Sequence, residues 1–525
     1  MRKLLCVLLT LFLCLSSCGA VLAGNDTIVL ANGSDEAIQR GGILVVAKSK
    51  ALDQGLNITK MSDCSSDFTV MSTIYEGLLT IDENGKAAPG LATEWKIADD
   101  GLSITMKLRE DVSFSNGEKF NAEAVAKCLN YYISDACGHV FKNSDLALVT
   151  GTDVVDEYTV RINLSAVDAA IDLELAGSSG YIMAPANIDN GDMATNPIGT
   201  GAFVLDEYQE GQYVTVKANP NYYKLGADGK PLPYLDGIRF VIITDDTTKT
   251  TNLESGDVHG VDRHASSTSV MAAQTMRNMV TYQNPVTQVY NISCNLLYEP
   301  LKDERVRKAI AYGTNAEELI EVAMEGYGRV CPFWTDPQKW FYWDYNPYSY
   351  NPEKARELLK EAGYENGLTL DIALIAREPD NTIAQLLQSQ FEEIGITLTI
   401  NAMDSASWIA YVRNDHKEQL SLGLTGNAGY APSKGWTIPL KAFGDVGTGL
   451  DTVDHLMELA RAEKITIDPE ARYDLIKEFQ TIILDGALAT VIGEKFQYGS
   501  FSGNVHNVGF HYYGWWKLSE AWMAN

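Results

Sequence analysis

The chain has few basic residues for its size, and this shortage restricts what it can bind. Lys and Arg number 41 against 69 Asp and Glu, which gives a formal net charge of −28. Nucleic-acid binding needs clustered Lys and Arg to contact phosphates, so we expect no nucleic-acid partner. An acidic surface favours solubility and is compatible with a cationic ligand.

The short motifs that mark common enzyme classes are also missing. The chain contains no G-x-S-x-G, H-E-x-x-H or G-x-x-x-x-G-K-[ST] sequence. The many Asp and Glu residues could still supply a carboxylate pair, but no spacing marks one. We therefore predict a protein that is not an enzyme, with no catalytic residues and no cofactor.

Cysteine is scarce and histidine scarcer, at 8 and 7 residues. No C-x-x-C pair occurs, which argues against a structural zinc site. Two pairs of histidines have near-helical spacing, His259 with His264 and His506 with His511, but neither pair has a third ligand nearby in the sequence. We predict no metal site. Disulfide pairing among the cysteines that follow the first eighteen residues stays open: Cys64, Cys128, Cys137, Cys294 and Cys331.

The only long apolar run lies at the amino terminus and is typical of a secretion signal. Arg2 and Lys3 precede an apolar stretch from Leu4 to Leu15, which is shorter than the about 18 residues of a membrane span. Leu15-Ser16-Ser17-Cys18 resembles a bacterial lipobox, in which Cys18 would carry lipid. Val21-Leu22-Ala23 is the competing site for ordinary cleavage. We expect an exported protein that is anchored by lipid at the cell membrane or in the periplasm.

Most of the remaining chain alternates short strands with amphipathic helices. Residues 368–375 and 396–400 predict strands, and residues 380–394 predict the helix between them. This order predicts a parallel pair with a right-handed crossover. Ser103 to Leu108 alternates as a half-buried strand, and Asn121 marks the start of a helix at Ala122. Ile74, Leu78 and Leu79 predict one apolar face at the end of a helix.

Several motifs in a fixed order resemble family 5 of the bacterial extracellular solute-binding proteins, the peptide/nickel-type receptors of ABC importers. The strongest lies between Glu76 and Phe120, where the resembling positions are Pro89, Leu91, Ala92, Trp95, Asp100-Gly101, Leu108-Arg109, Phe114 and Gly117. Asn196–Phe203 resembles the family's Asn-Pro-x-Gly-Thr-Gly turn, and Asn219–Tyr223 its Asn-Pro-x-Tyr. Pro300 to Ala309 and Asn351 to Gly363 resemble two of its helix starts.

The resemblance implies an α/β, two-lobed, periplasmic-binding-protein-like fold (type II, cluster C-like) with an extra subdomain in lobe I. We expect a lipoprotein signal peptide at 1–17 and a flexible tether at 18–40. Lobe I would cover 41–285, with 73–190 as the subdomain. Lobe II would cover 286–490, and 491–525 would return to lobe I. The lobes would close around a ligand by hinge motion.

The resemblance also places the ligand contacts. Family members that take peptides hold the α-ammonium with an Asp in the segment that corresponds to 425–436, where this chain has no acid. Asn427 would offer a neutral hydrogen bond there, and neutral bonds are weaker than charged ones. The predicted ligand-binding residues are Asp63, Cys64, Trp408, Asn427, Tyr430 and Trp436.

The function implied is that of a monomeric receptor that captures a small solute, an oligopeptide or a similar compound, and delivers it to a membrane permease. A receptor of the same fold for nickel, a metal chelate or an oligosaccharide is one alternative. A secreted hydrolase or a sensory receptor on this scaffold is the other, since a fold does not determine a function.

Overall fold

A computed structural model describes residues 37–61, 64–82, 84–138, 142, 146–285, 288–334, 340–426 and 451–524. In chain order its strands are β1 Ile43–Lys48, β2 Asp53–Leu56, β3 Leu79–Ile81, β4 Ala87–Pro89, β5 Ala92–Ile97, β6 Ser103–Leu108, β7 Val149–Asp156, β8 Thr159–Leu164, β9 Phe203–Gln209, β10 Tyr213–Ala218, β11 Gly237–Ile242, β12 Gly260–Val261, β13 Met279–Gln283, β14 Gln288–Cys294, β15 Gly328–Arg329, β16 Leu368–Ile375, β17 Ile396–Met403, β18 Leu420–Gly426, β19 Ala489–Lys495, β20 Tyr498–Ser502, β21 Val505–His506, β22 Gly509–Phe510, β23 Trp516–Lys517 and β24 Trp522–Met523.

The α-helices are α1 Cys64–Ile74, α2 Ala122–Tyr132, α3 Ile171–Ala176, α4 Pro185–Asn190, α5 Asp246–Ser255, α6 Ser267–Thr275, α7 Glu299–Lys302, α8 Glu304–Gly313, α9 Ala316–Ala323, α10 Pro352–Glu361, α11 Asp380–Glu393, α12 Ser405–Trp408, α13 Asp451–Ile465 and α14 Pro469–Asp485. Short 3₁₀ turns lie at Ile58–Lys60 and Ser178–Gly180, and a π-helical stretch covers Ile409–Asn414. None of the helices in the described ranges is both long and apolar enough to cross a membrane.

A seven-stranded mixed sheet forms the centre of the first lobe, in the order β13-β20-β12-β1-β11-β10-β9. β1 pairs in parallel with β11 and β12, and β20 pairs antiparallel with β12 and β13. Leu44, Val46 and Ala47 are buried in β1, while its first residue, Ile43, is half exposed. The strand is therefore mostly buried after Ile43, with Val45 only partly so.

A six-stranded sheet forms the centre of the second lobe, in the order β15-β19-β14-β18-β16-β17. β16 and β17 pair in parallel from Leu368 opposite Ile396 to Ile375 opposite Met403. α11 connects them and buries Ile383 and Leu387 within the lobe's core. The predicted strand–helix–strand unit is confirmed, because its apolar residues have the spacing that each element buries.

The chain passes between the two sheets twice. Residues 284–287 join β13 of the first sheet to β14 of the second, and residues 496–497 join β19 back to β20. The predicted division between residues 490 and 491 falls within β19. The predicted lobe boundaries themselves stay predictions.

A separate four-stranded antiparallel sheet, β5-β6-β8-β7, follows the small β3-β4 pair in the first lobe. α2 packs beside it and begins where predicted, since the Asn121 side chain accepts a hydrogen bond from the backbone N–H of Ala124. The prediction for Ile74, Leu78 and Leu79 is wrong in one respect. The helix ends at Ile74 and Leu79 opens β3, so these buried residues share a core but not a helix face.

Three of the recognised motifs meet at one carboxylate, that of Glu76. Its Oε1 accepts hydrogen bonds from the hydroxyls of Tyr222 (3.0 Å) and Tyr223 (3.2 Å) and from the Lys224 ammonium (2.8 Å). Its Oε2 accepts from the Thr200 hydroxyl at 3.1 Å. Burial and the neighbouring Glu76 raise the pKa of Tyr222, so this hydroxyl remains a donor. Glu76 therefore links the end of α1 to the segments on either side of the β9–β10 hairpin.

The glycines of the Asn-Pro-Ile-Gly-Thr-Gly turn let two backbone segments approach closely. Gly201 N–H donates to the Ile74 carbonyl at 2.8 Å, and a Cβ at residue 201 would lie 2.5 Å from the Thr73 carbonyl oxygen. A Cβ at Gly199 would lie 2.2 Å from the Ile74 carbonyl oxygen. Only glycine fits at these two positions without moving the end of α1.

We expect Gly201→Ala to lower the free energy of unfolding by about 1–3 kcal/mol, because the added methyl group meets backbone rather than a movable side chain. Urea denaturation followed by circular dichroism measures the change. Gly151→Ala is the matched control, since a Cβ there would meet only the Asn130 side chain, at 3.7 Å. Equal stability of the two variants would contradict this role of the turn.

Candidate functional site

The connections between the sheets bring two particular edges together. β13 runs parallel to β1 and β12, because both β13 and β12 are antiparallel to β20. β14 runs antiparallel to β18 and β19. β16 pairs in parallel with both β17 and β18, so these three strands share one direction. The 284–287 connection therefore leaves the first sheet at the edge where β1, β11 and β12 end. It enters the second sheet at the edge where β16, β17, β18 and β19 end. Ligands of open α/β sheets bind beyond such carboxyl ends.

On the first lobe, a buried ion pair ties the end of β1 to α1. The Lys48 ammonium lies 3.0 Å from Asp67 Oδ1 and 2.5 Å from Ser66 Oγ. The Lys48 and Asp67 side chains are 1% and 0% exposed. Asp262, just after β12, accepts hydrogen bonds from the backbone N–H and the hydroxyl of Ser49 at 2.9 and 2.8 Å. These contacts hold the amino terminus of α1 near the sheet edge.

On the second lobe, the carboxyl ends of two strands carry cationic side chains. Arg377 follows β16 and lies with its Nε 3.2 Å from Asp380 Oδ2. Buried Tyr290 donates to Asp380 Oδ1 at 2.7 Å, so Asp380 is held from the protein side while the Arg377 side chain is 45% exposed. Lys495, the last residue of β19, is within the electrostatic influence of both Arg377 and Asp380.

The cluster combines two cations, Arg377 and Lys495, with the carboxylates of Glu378 and Asp380. Burial and the Asp380 charge raise the pKa of Tyr290, which keeps its phenol protonated as a donor. Burial lowers the pKa of Lys495, with Asp380 opposing the shift and Arg377 adding to it. A negative group on a ligand would offset the desolvation of the Lys495 ammonium, since opposite charges stabilise a partly buried ammonium. Arg377 and Lys495 are not among the predicted ligand-binding residues, although each stands at the end of a strand.

A second arginine lies near the crossing itself. Arg329 donates through Nη2 to both carboxylate oxygens of Glu494, at 3.2 and 3.0 Å, and Glu494 is fully buried. The Arg329 guanidinium also lies 5.9 Å from the centre of the Phe496 ring. This pair ties β15 to β19 where the chain leaves the second lobe.

The predicted ligand residues fall in different places. Cys64 begins α1, and Trp408 ends α12 with its side chain 7% exposed. The Trp408 ring packs on Ala373 and Val412, and its Nε1 donates to the Ala373 carbonyl at 3.4 Å. Asp63, Asn427, Tyr430, Trp436 and Cys18 lie outside the described residues.

The histidines in the two predicted pairs serve the packing of the first lobe. His259 Nδ1 accepts from the Val45 backbone N–H at 2.9 Å. Burial lowers the pKa of His264 to about 4 and that of His511 to about 3, so both rings are neutral at pH 7. His506 and His511 stack on tryptophan rings with centroids 4.1 Å apart. Within the described ranges, no three His, Cys, Asp or Glu side chains are grouped to hold a metal.

The cysteines whose side chains the structure describes are reduced and buried: Cys128, Cys137, Cys294 and Cys331. Burial raises the pKa of the Cys128 and Cys294 thiols to about 12. A thiol with so high a pKa is a poor nucleophile and a poor metal ligand at neutral pH.

A cavity of about 440 Å³ lies at the other end of β19, away from the facing edges. Ala489, Thr490 and Val491 line it from the strand, and Tyr348 and Tyr350 line it from the aromatic segment. Because β19 reaches the facing edges at Lys495, this cavity is not part of the crevice between the lobes.

Comparison with known proteins agrees with this geometry. Residues 86–442 match the family described as "Bacterial extracellular solute-binding proteins, family 5 Middle". The glutathione-binding protein GsiB from Salmonella typhi is 29% identical over 459 residues, which cover 84% of this chain and 87% of that protein.

Solved structures share the fold. NikA from Brucella suis, in complex with Fe(III)-EDTA, has a TM-score of 0.78 at 22% identity, with 88% of this chain and 96% of that chain covered. The periplasmic binding protein DppA from Helicobacter pylori, in complex with the peptide STSA, has a TM-score of 0.72 at 21% identity, with 93% and 99% covered. The two-lobed α/β fold and the predicted resemblance are both confirmed. The chain belongs to family 5 of the bacterial extracellular solute-binding proteins.

Proposed function

We propose that the chain is an exported, lipid-anchored receptor of an ABC importer, which captures a small solute between its lobes and hands it unchanged to a membrane permease. The observation that carries this proposal is the meeting of two sheets at the carboxyl ends of their parallel strands, with Arg377 and Lys495 at that edge. The receptor acts as a monomer and catalyses no reaction on its cargo.

The proposed ligand is a short peptide or a similar compound that carries a carboxylate. Arg377 and Lys495 place two cationic side chains at the crevice of a chain whose net charge is −28. Arginine presents paired N–H donors that match a carboxylate, and charge-assisted bonds are the stronger ones. The names of relatives support this class, since one binds glutathione and another was solved with the peptide STSA.

A carboxylate-bearing metal chelate is the second candidate, favoured by the same cations. NikA from Brucella suis was solved with Fe(III)-EDTA, whose chelator is a polycarboxylate. A chelate would need no protein ligand to the metal, which fits a chain with no such grouping in its described ranges. A thermal-shift screen of peptides, chelates and oligosaccharides separates these classes, because binding to the native state raises Tm.

The remaining proposed contacts come from segments that follow strands of the two lobes. Asn427, Tyr430 and Trp436 follow β18 directly, and β18 ends at Gly426 on the facing edge. We propose Asn427 as a neutral acceptor for the ligand's amine, with Tyr430 and Trp436 as flat apolar surfaces that carry a polar group. Asp63 and Cys64 complete the proposed contacts, whereas Trp408 packs in the small core with Ala373 and Val412.

We expect Arg377→Ala to weaken binding of the best ligand from the screen by about tenfold or more, since a charge-assisted hydrogen bond contributes about 1.5–3 kcal/mol. Isothermal titration calorimetry measures the dissociation constant. Arg161→Ala is the control, because Arg161 makes a surface ion pair with Asp153 at 3.1 Å in the subdomain. An unchanged dissociation constant for Arg377→Ala would remove this residue from the site.

Trp436→Ala tests the segment after β18 separately. We expect it to weaken the same ligand by about 10-fold, because a buried aromatic contact contributes about 1–3 kcal/mol. Trp343→Ala is the control, since the Trp343 ring of the second lobe stacks on Tyr345 with centroids 4.5 Å apart and contacts neither the proposed ligand residues nor the interlobe contacts. If Trp436→Ala binds as tightly as the parent, the assignment of Trp436 to the ligand site is wrong.

The lipid anchor has its own test. We expect Cys18→Ser to move the protein from the membrane fraction to the soluble exported fraction, since serine cannot form the thioether that carries lipid. Fractionation of expressing cells with immunoblotting measures the distribution. Retention of the Cys18→Ser protein in the membrane fraction would favour another mode of attachment.

A further inference from the structure

The two lobes touch at a second place besides the crossings, between the end of the subdomain and the helical hairpin α13–α14. The backbone N–H of Ala169 donates to the Lys464 carbonyl at 2.9 Å, and Arg472 Nη1 donates to the Ala169 carbonyl at 3.4 Å. The Lys464 ammonium lies 3.5 Å from Asp168 Oδ2. We call this group of four residues the interlobe clasp.

The two sides of the clasp belong to separate cores. Residues 168–169 connect β8 to α3, and α3 packs Ile171 and Leu175 into the core of the first lobe. α13 and α14 pack Leu456 and Ile476 with other residues of the second lobe. The clasp is therefore a contact between two bodies and not part of either body's interior.

Buried charges hold each side of the clasp in position. Asp168 is 2% exposed, and its Oδ1 accepts from the Ala170 backbone N–H at 3.1 Å. Arg472 donates to Glu463 through Nε at 3.0 Å and through Nη2, and Glu463 is fully buried. The Arg472 guanidinium also lies 5.0 Å from the centre of the Trp340 ring. Separating the lobes would leave Asp168 without its cation while Arg472 kept its own partner.

The contacts near the crossings differ from the clasp in an important respect. Tyr327 lies beside the returning chain, where its carbonyl accepts from the Phe496 backbone N–H at 3.1 Å and its hydroxyl donates to Gln274 at 3.2 Å. Covalent continuity keeps such residues near each other whether the lobes are open or closed. The clasp has no covalent link nearby, so a separation of the lobes at this place would break it.

We propose that the interlobe clasp stabilises the closed arrangement of the lobes and so sets the open–closed equilibrium before any ligand is bound. The inference rests on the proposed receptor function, in which the lobes open and close. The contacts of the clasp are formed by protein atoms alone and do not depend on which ligand is bound. A contact that exists in only one of two states shifts the population towards that state. It also raises the apparent affinity for any ligand that requires closure.

A ligand-free measurement tests the clasp directly. Nitroxide labels on Val155→Cys and Val322→Cys, both about half exposed and on different lobes, report the lobe separation by pulsed EPR. We expect the parent to contain a short-distance population that Lys464→Met and Asp168→Asn each reduce at least twofold. Lys477→Met is the matched control, because Lys477 on α14 makes a surface pair with Asp474 at 2.7 Å within the second lobe.

Circular dichroism confirms that the variants fold, and Asn at 168 keeps the acceptor for the Ala170 N–H. Distance distributions that are the same in parent, Lys464→Met and Asp168→Asn would overturn the proposal. A parent that is fully open without ligand would overturn it as well.

A second measurement uses reduced glutathione and trialanine as probes. We expect Lys464→Met to weaken whichever probe binds by about five- to tenfold relative to Lys477→Met. Unchanged affinity together with an unchanged EPR distribution would contradict the clasp. If neither probe binds the parent, the proposed ligand class fails, while the EPR measurement still decides the clasp.

Discussion

The structure depends on one constraint, the pair of connections that join the two sheets at 284–287 and 496–497. Because strand direction is set by the pairing pattern, these connections decide which edges of the sheets can face each other. The edges that meet carry the carboxyl ends of β1, β11 and β12 on one side and of β16 to β19 on the other. Loops at such ends are free to vary without disturbing either core, so this is where a binding protein can change its specificity.

The distribution of charge follows from the same arrangement. Lys48 and Asp67 are buried together, and each offsets the desolvation of the other, so that pair fastens α1 and is not available to a ligand. Arg377 differs because its side chain is half exposed while its partner Asp380 is buried and also held by Tyr290. A fixed, partly solvated guanidinium loses little conformational freedom on binding a carboxylate, which is what preorganisation contributes to affinity.

Much of the fold could be predicted from local patterns. The parallel pair β16 and β17, the helix between them and the Asn121 cap each depend on residues close in sequence. The helix face predicted for Ile74, Leu78 and Leu79 was wrong, because residues of a helix end, a turn and a strand that enter one core can have the same spacing as a helix face. The family motifs could be recognised from their residues alone. Their contact at Glu76 could not be predicted, because it joins residues more than 120 positions apart in sequence.

The ligand contacts were harder to predict, because they depend on which strand ends meet in space. Arg377 lies just after a strand and belongs to no motif. Lys495 is a charged residue at the end of a strand, and nothing in the sequence distinguishes it from other such residues. Only the sheet order places both at the same edge. The position of Trp408 likewise needs the structure, since a tryptophan after a strand could equally line a crevice or fill the small core with Ala373 and Val412.

Hydrogen–deuterium exchange of the whole mature chain, with and without the ligand found by the screen, tests whether the ligand binds where the strand ends of the two sheets meet. We predict slower exchange in the segments that follow β1, β16, β18 and β19, on both lobes at once. Protection confined to one lobe, or to the cavity beside Tyr348 at the far end of β19, would contradict it.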